Sequence, residues 1–203
     1  SYNPHVVLNP TTIDTENLHR PYERTEIRNK LTIGWTGTHS TLKYLHPLVS
    51  ILKKMTKENP AIQVNVISNK PPAFNFPSLH FIPWSKKTEI SDLLKFDIGI
   101  MPLTDDVWAQ GKCGFKALQY MALGIPVIAS PVGVNSKIID TGVDGFLCDS
   151  EQEWLMAFET LIRDRTLRME MGKRGRKKVQ EHYSVTSNSA NFLKFSYTFD
   201  TCR

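Results

Sequence analysis

Short apolar runs alternate with amphipathic segments along most of the chain. Several runs are continuously apolar, a pattern typical of parallel strands that are buried on both faces. They predict strands at His5–Asn9, Leu31–Trp35, Ile62–Ile67, Leu79–Ile82, Asp97–Met101, Val127–Ala129 and Gly145–Leu147. The segments between them predict helices at Thr41–Thr56, Lys87–Lys95, Gly114–Leu123 and Val134–Asp140. This alternation, with short loops, indicates an α/β fold built on an open, doubly wound parallel sheet.

The carboxyl-terminal third of the chain is helical in pattern. Ser150 and Glu153 have the spacing of a capping box, and apolar residues follow at helical spacing, which predicts a helix at Glu151–Arg163. A further helix is expected through about His182. The first thirty residues contain the polar, turn-forming stretch "NPTTIDTENLHR", which favours an interdomain connection over core.

Bulk composition is that of a soluble globular protein, since 40% of the 203 residues are hydrophobic and 22% are charged. No apolar run approaches the roughly 18 residues that cross a bilayer. The three cysteines are scattered, which argues against a disulfide scaffold or structural zinc site and favours a reducing cytoplasm. The six histidines show no metal-ligand spacing, so no metal site is assigned.

The net charge of +5 comes from one segment, Arg163–Lys178, which holds eight basic and two acidic residues. A solvated helix face is the favoured interpretation, and a patch facing an anionic membrane surface is the alternative. That alternative would place the protein peripherally at an inner membrane. No nucleic-acid-binding signature is present, so we expect no nucleic acid partner.

Ligands of doubly wound sheets bind beyond the carboxyl ends of the strands. The loop after the second predicted strand reads "IGWTGTHST", in which Gly34 and Gly37 permit close backbone approach and Thr38 offers a hydroxyl. This suits an anion held at a helix amino terminus. A plain tight turn explains the same residues, because the glycine spacing matches neither a Walker A loop nor a dinucleotide fingerprint.

The stretch "GKCGFKALQYMALGIPVIASPVG", Gly111–Gly133, is more informative. Lys112 and Lys116 stand at the start of a helix, where the macrodipole disfavours cations unless an anion is bound. Gln119 lies in the same, mostly apolar helix and needs a hydrogen-bonding partner if it is buried. The alternative is a glutamine bonded to a nearby loop carbonyl, with both lysines reaching solvent.

Three weaker candidates lie at the same predicted edge. Trp84 could contact a flat ring or belong to the core or a lid. Asp105 with Asp106 could position a sugar or a metal, although adjacent acids in a surface loop commonly do neither. Cys113 sits in an electropositive loop that could activate its thiol, although a packing or backbone role ranks first.

The segment "DIGIMPLTDD…GKCGFKALQYMALGIPVIASPVGVNSKIIDTGVDGFLC" resembles the nucleotide-sugar-binding half of retaining glycosyltransferases of the GT-B fold, the glycosyl transferase group 1 family. Many positions match the family pattern across Asp97–Leu147, and fewer match on either side. The resemblance implies a Rossmann-like domain at residues 31–183, preceded by an interdomain connection with the first strand at 1–30. Residues 184–203 would be a tail that crosses back to an amino-terminal acceptor-binding domain, which this chain lacks.

The family's residues carry over unevenly. Gln119 stands where a glutamate usually accepts hydrogen bonds from ribose, and Gly111 where another glutamate contacts the transferred sugar. Trp35 and Ser40 occupy the positions of the usual phosphate-binding arginine and lysine. The resemblance therefore leaves open whether the donor site is competent.

Lys112 and Lys116 resemble replacements for those cations, because some members of the family read K-C-G-x-K here. The resemblance implies that they stabilise the departing diphosphate, together with the backbone N–H groups of Cys113, Gly114 and Phe115. It also implies base contacts from Pro83, Trp84 and Ser85 and a further donor contact at Ser68 and Asn69.

The function implied is metal-independent transfer of a sugar from a UDP-, GDP- or similar sugar nucleotide to a glycan or lipid-linked acceptor, with no cofactor. Bacterial surface polysaccharide is the family's usual setting. Without its acceptor domain, this chain is expected to be inactive by itself. The alternatives are a non-catalytic, Rossmann-like nucleotide-binding or regulatory module, and a binder of anionic surfaces through Arg163–Lys178.

Overall fold

The computed structural model describes residues 9–21 and 29–200, the last six of these for the backbone alone. Within these ranges six parallel strands form one sheet: β1 (Leu31–Thr36), β2 (Ile62–Ser68), β3 (Leu79–Pro83), β4 (Ile98–Met101), β5 (Val127–Ala129) and β6 (Gly145–Leu147). The strand order is β3-β2-β1-β4-β5-β6. Successive strands are added on one side of β1 up to β3 and on the other side from β4 onward, so the order reverses between β1 and β4. The predicted α/β, doubly wound architecture is confirmed.

The strand predictions are confirmed to within one residue at either end. Asp97 was expected to open β4, which instead starts at Ile98. Its carboxylate accepts a hydrogen bond of 2.8 Å from the Thr32 backbone N–H, so this acid ties β4 to β1 from just outside the strand. The additional strand expected at His5–Asn9 falls, apart from Asn9, outside the described residues.

Eight α-helices are described in residues 9–21 and 29–200: α1 (Val49–Glu58), α2 (Glu89–Leu93), α3 (Val107–Gln110), α4 (Phe115–Ala122), α5 (Asn135–Ile138), α6 (Glu151–Arg163), α7 (Arg165–Lys178) and α8 (Val185–Asp200). A 3₁₀ helix, His39–Leu48, precedes α1, and a π-helical turn, Val179–Tyr183, follows α7. None of the helices described is long and apolar enough to span a membrane.

The α6 prediction is confirmed in detail. Glu153 N–H donates to the Ser150 hydroxyl, and the Glu153 carboxylate accepts from the Ser150 N–H at 3.0 Å, which completes the capping box. The expected helices at Lys87–Lys95 and Val134–Asp140 are shorter than predicted, since only Glu89–Leu93 and Asn135–Ile138 are α-helical.

The prediction of one α-helix at Thr41–Thr56 is wrong for the first half of that range. The chain forms a ten-residue 3₁₀ helix there, and the α-helix begins at Val49. Pro47 lies inside the 3₁₀ segment. Proline has no N–H to donate and disfavours α-geometry in the residue before it, which accounts for the delayed start of α1.

Two helices were not anticipated. In α3 the Asp106 carboxylate caps the helix by accepting from the Ala109 N–H at 2.7 Å, so the loop acid has a structural role. The segment expected as a tail forms α8, whose first turn is capped by the Ser184 hydroxyl, which accepts from the Ser187 N–H at 2.9 Å.

Apolar side chains cover both faces of the sheet. On one face Leu118 and Met121 of α4 are completely buried, and on the other Leu52 of α1 packs in a cluster with Phe158 of α6. Residues 9–21 belong to this body as well. Ile13 is 1% exposed, and it donates to the Tyr183 carbonyl at 2.8 Å while its own carbonyl accepts from Val185 N–H.

The basic segment Arg163–Lys178 spans the end of α6 and all of α7. Six of its eight cations bind neighbouring carbonyls or carboxylates: Arg168, Lys173, Arg174, Arg176, Lys177 and Lys178. Lys178 joins Asp140 at 2.7 Å and Asp144 at 3.0 Å. Much of the positive charge therefore fixes α7 to the rest of the fold, which favours the structural interpretation over the membrane one.

Candidate functional site

A cavity of about 660 Å³ opens where the carboxyl ends of the central strands meet the start of α4. The loops after β1, β2 and β3 contribute four predicted site residues to its lining: Gly37, Thr38, Asn69 and Trp84. The turn before α4 and the helix itself contribute six more: Lys112, Cys113, Gly114, Phe115, Lys116 and Gln119. The fold thus brings most of the predicted site together at the edge where parallel sheets bind ligands.

The amino terminus of α4 faces this cavity without a capping side chain. Gly114 is the N-cap residue, and its φ of 69° lies in the left-handed region that favours glycine. Its position is crowded as well, because a Cβ atom there would approach the Ile138 side chain to 2.2 Å. Since the N-cap glycine has no side chain to accept from the first-turn N–H groups, this helix end is suited to an anion.

Lys116 is the second residue of α4 and is held against an aromatic ring. Its Nζ lies 4.7 Å from the centroid of the buried Trp35 ring, a cation–π geometry. Burial, and secondarily the nearby charge of Lys112, lowers the pKa of Lys116 to about 8. An anion in the cavity would relieve both effects, because it would supply the opposite charge that the site lacks.

Lys112 lies in the turn before α4 and is half-buried. Its Nζ is 5.4 Å from the Tyr44 ring centroid and 5.9 Å from that of Trp108. Two aromatic side chains thus hold the second lysine near the mouth of the cavity. The predicted placement of both cations at the helix start is confirmed.

Gln119 is 3% exposed and is bonded to other protein groups, as its burial requires. Its amide nitrogen donates to Glu89 Oε1 at 3.3 Å and lies 3.5 Å from His19 Nε2. One expectation from the sequence is a loop carbonyl as the partner of Gln119, but the partners in the structure are a carboxylate and an imidazole. Burial lowers the pKa of His19, which favours the neutral ring.

The loops after β1 and β2 are joined by direct hydrogen bonds. The Asn69 side-chain oxygen Oδ1 accepts from the His39 backbone N–H at 2.8 Å, and the Asn69 side-chain nitrogen Nδ2 lies 3.1 Å from His39 Nδ1. The Thr38 and Ser40 hydroxyls are 2.9 Å apart. Of these residues Thr38 and Asn69 line the cavity, so the loops after β1 and β2 present a hydroxyl and an amide to it.

Four predicted donor-binding residues do not line the cavity. Gly34 lies inside β1 directly beneath Phe96, and Ser68 is buried with its hydroxyl donating to the Lys70 carbonyl. Pro83 ends β3 in register with Ser68, and the Ser85 hydroxyl accepts from the Lys87 N–H at 3.3 Å. Packing and turn formation explain these residues, and the structure offers no support for a direct ligand contact.

Four further residues line the cavity: Thr36, Thr41, Glu89 and Met101. Sequence reasoning pointed to the hydroxyls of Thr36 and Thr41 but missed Glu89 and Met101. Thr36 and Met101 end β1 and β4, so their position follows from the carboxyl-end rule once the strand ends are known. Glu89 gave no local signal, because its relation to Gln119 arises only from the packing of α2 against α4.

A family model described as glycosyl transferases group 1 matches residues 75–178, just over half of the chain. The chain belongs to the glycosyl transferase group 1 family. D-inositol 3-phosphate glycosyltransferase of Pseudarthrobacter chlorophenolicus is 35% identical over 79 residues, which are 38% of this chain. The chain thus spans 18% of the length of that curated relative.

Solved structures share the fold of this chain. The carboxyl-terminal domain of a glycosyl transferase group 1 protein from Francisella tularensis aligns with a TM-score of 0.70 at 21% identity, covering 85% of this chain and 99% of that one. Sucrose-phosphate synthase of Thermosynechococcus elongatus aligns at 0.75 and 14% identity, covering 96% of this chain and 52% of that one. This chain therefore has the Rossmann-like fold of a GT-B carboxyl-terminal domain.

The Anabaena protein HepE, whose structure was determined in complex with UDP and glucose, aligns with a TM-score of 0.70 at 16% identity. The alignment covers 91% of this chain and 55% of HepE. A neighbour with the same fold thus binds a nucleotide and a sugar.

Proposed function

We propose that this chain is the donor-binding part of a retaining glycosyltransferase that moves a sugar from a nucleoside diphosphate sugar to a glycan or lipid-linked acceptor. One observation carries the proposal. Two lysines and the uncapped amino terminus of α4 line the same cavity as the polar group of Gln119 and Glu89. The positive end suits a diphosphate, and the polar group one helical turn further on suits a sugar ring with hydroxyl groups.

The chemistry of the transfer explains the need for these charges. The bond between the anomeric carbon and the diphosphate oxygen breaks, and the leaving nucleoside diphosphate takes the electron pair. The acceptor hydroxyl oxygen bonds to the same carbon, and its proton passes to the leaving diphosphate. Lys112, Lys116 and the helix dipole would stabilise the negative charge that develops there. Because these groups already supply positive charge, the proposed mechanism requires no bound metal ion.

The acceptor would be bound by another part of a longer protein. HepE and sucrose-phosphate synthase extend well beyond the region that this chain matches. The chain here provides the donor cavity, with the exposed Trp84 at its rim placed to cover a base. The UDP complex of HepE supports a uridine nucleotide as the first donor to test.

Calorimetric titration of the chain with UDP, GDP and their sugars tests the proposal. We expect a dissociation constant in the micromolar to millimolar range for at least one nucleoside diphosphate and much weaker binding of the nucleoside alone. If none of these ligands binds at millimolar concentration, the donor site does not exist as proposed.

A non-catalytic nucleotide-binding module is the second candidate, and Gly111 is the observation that favours it. Gly111 lines the cavity with no side chain, where relatives were expected to present a glutamate to the transferred sugar. Nucleotide binding without hydrolysis or transfer of the sugar, in a longer chain that includes the acceptor part, would support this candidate. Sugar transfer by that chain would exclude it.

A further inference from the structure

Glu89 and Gln119 form a pair in the wall of the cavity. Glu89 is the first residue of α2, at the end of the loop that follows β3, and Gln119 lies in α4. Both line the cavity, and the Gln119 amide nitrogen donates to Glu89 Oε1 at 3.3 Å. The two residues are 30 positions apart, so only the tertiary fold brings this carboxylate to the site.

His19 completes the group on the protein side. Its Nδ1 lies 3.3 Å from the Asp14 carbonyl oxygen, and its Nε2 lies 3.5 Å from the Gln119 amide nitrogen. In a neutral ring with the proton on Nδ1, Nε2 is an acceptor. The Gln119 amide then donates one hydrogen to the imidazole and the other to the Glu89 carboxylate.

An amide at position 119 is therefore required by its neighbours. A glutamate there would have no hydrogen to donate, and it would face the lone pair of His19 and the negative charge of Glu89. The buried amide of Gln119 thus occurs together with one carboxylate, that of Glu89, in the same cavity wall.

We infer that Glu89 is the carboxylate that binds the ribose diol of the donor nucleotide, and that Gln119 is a positioning residue that holds Glu89 in place. The inference rests on the proposed function, and it names the residue that binds the ribose of the donor. An ionised carboxylate is an acceptor that can take hydrogen bonds from two adjacent hydroxyls, and such charge-assisted bonds are the strong ones.

Position and charge support this assignment. Gln119 lies three residues after Lys116, a rise of about 4.5 Å along α4, so the amide that holds Glu89 and the cation project from the same side of the helix. No lysine or arginine in the described part of the chain forms an ion pair with Glu89. Its carboxylate therefore remains available to hydroxyl donors from the ligand.

The test compares ribose with deoxyribose ligands. The chain is titrated with the nucleoside diphosphate that it binds and with the 2′-deoxy and 3′-deoxy forms of the same compound. We expect the unaltered chain to prefer the ribose form by about tenfold or more, and Glu89→Gln to reduce this preference to about threefold or less. Glu159→Gln, at an exposed position on α6, is the matched control and should keep the full preference.

Exchange of the two side chains tests the pairing. Gln119→Glu alone should weaken binding of the nucleoside diphosphate, because two carboxylates then face each other. The double variant Glu89→Gln with Gln119→Glu should recover part of the loss, since the repulsion between two carboxylates is removed while the unfavourable contact of a carboxylate at position 119 with His19 Nε2 remains. Circular dichroism and thermal melting show whether each variant is folded.

The outcomes separate this inference from the function on which it rests. If nucleoside diphosphates bind but Glu89→Gln keeps the full preference for ribose, or if the double variant binds no better than Gln119→Glu, the assignment of Glu89 is wrong. If no nucleoside diphosphate binds the unaltered chain, the proposed function fails and the inference falls with it.

Discussion

The ammonium group of Lys116 lies 4.7 Å from the centroid of the Trp35 ring, at the amino terminus of α4. Trp35 is buried at 1% exposure and therefore forms a rigid support for the cation. The expected phosphate-binding arginine is absent from position 35, yet the aromatic side chain there holds a lysine that comes from another helix. This part of the positive charge of the site thus comes from α4 and lies against a side chain of β1.

Removal of this charge should selectively weaken phosphate binding. Lys116→Ala should reduce the affinity for UDP by about 10- to 100-fold, the value of a charge-assisted contact of about 1.5–3 kcal/mol, and leave uridine binding nearly unchanged. Calorimetry with both ligands measures the two effects. Lys54→Ala, at an exposed position on α1, is the control. Equal losses for UDP and uridine would contradict a phosphate role.

Binding should also depend on pH, because the pKa of Lys116 is lowered to about 8. The phosphate prefers the protonated lysine, so affinity should be full near pH 7 and fall as the pH rises through about 8. The terminal phosphate, with a pKa of about 6, does not titrate in that range. Titrations between about pH 7 and about pH 9.5 test this. Lys116→Arg keeps its charge throughout and should give a flat profile; a decline of the same size in that variant would place the titrating group elsewhere.

Gly34 should be intolerant of any side chain for reasons of packing. A Cβ atom at this position would come within 2.0 Å of the Phe96 ring. Gly34→Ala should therefore lower the free energy of unfolding by about 1–3 kcal/mol or more, as overpacked cores do. Urea unfolding measures the loss. On a Phe96→Ala background the same change should cost much less, and an unchanged cost would show that the ring is not the obstacle.

The fold could be predicted because its signals are local. Continuous apolar runs such as Ile98–Met101 identify buried parallel strands, and Ser150 with Glu153 fixes the start of α6. The predicted helices were wrong where a proline or a capping side chain, and not the pattern of apolar residues, decides where a helix begins. Pro47 delays α1, and the short helix α3 is capped by Asp106, a residue equally typical of a loop.

The candidate site was predicted only in part, for a related reason. One stretch of sequence contains Lys112, Lys116 and Gln119. It shows directly that two cations stand where the helix dipole disfavours them and that an amide lies in a mostly apolar helix. The partners of Gln119 are 30 and 100 residues away along the chain, so no local pattern identifies Glu89 or His19. Such contacts require the tertiary structure.

The stability of the fold should respond to protonation of His19. Burial holds its pKa in the folded chain below the ordinary value of 6.5. The unfolded chain therefore binds a proton more readily, and stability should decrease as the pH falls below about 6.5, by no more than about 1.4 kcal/mol for each pH unit. Urea unfolding between about pH 7.5 and about pH 5.5 measures this slope.

His19→Gln removes the titrating ring and should flatten that part of the profile. His80→Gln, at an exposed position on β3, is the control and should leave the slope as it is. A slope that persists in His19→Gln would assign the pH dependence to another group.

Arg176 should be the most important cation of the basic segment for stability. Its guanidinium donates to the carbonyl oxygens of His19 at 2.8 Å and Thr15 at 3.2 Å, and also to that of Ala122. Arg176→Met should cost about 1–3 kcal/mol in the free energy of unfolding, since it leaves these acceptors without a donor. Arg163→Met, at an exposed position at the end of α6, should change stability by less than about 0.5 kcal/mol. Similar effects of both changes would mean that the segment acts only through its net charge.

The attachment of residues 9–21 by Arg176 determines how small a working donor unit can be. A piece of chain that starts at β1 would keep the whole sheet and both lysines. It would lose His19, and with it the acceptor that orients the Gln119 amide toward Glu89. We therefore expect the sheet with α4 and its preceding turn to keep phosphate binding. We expect selection of ribose over deoxyribose to depend on residues 9–21, which lie outside the sheet and are held by Arg176 of α7.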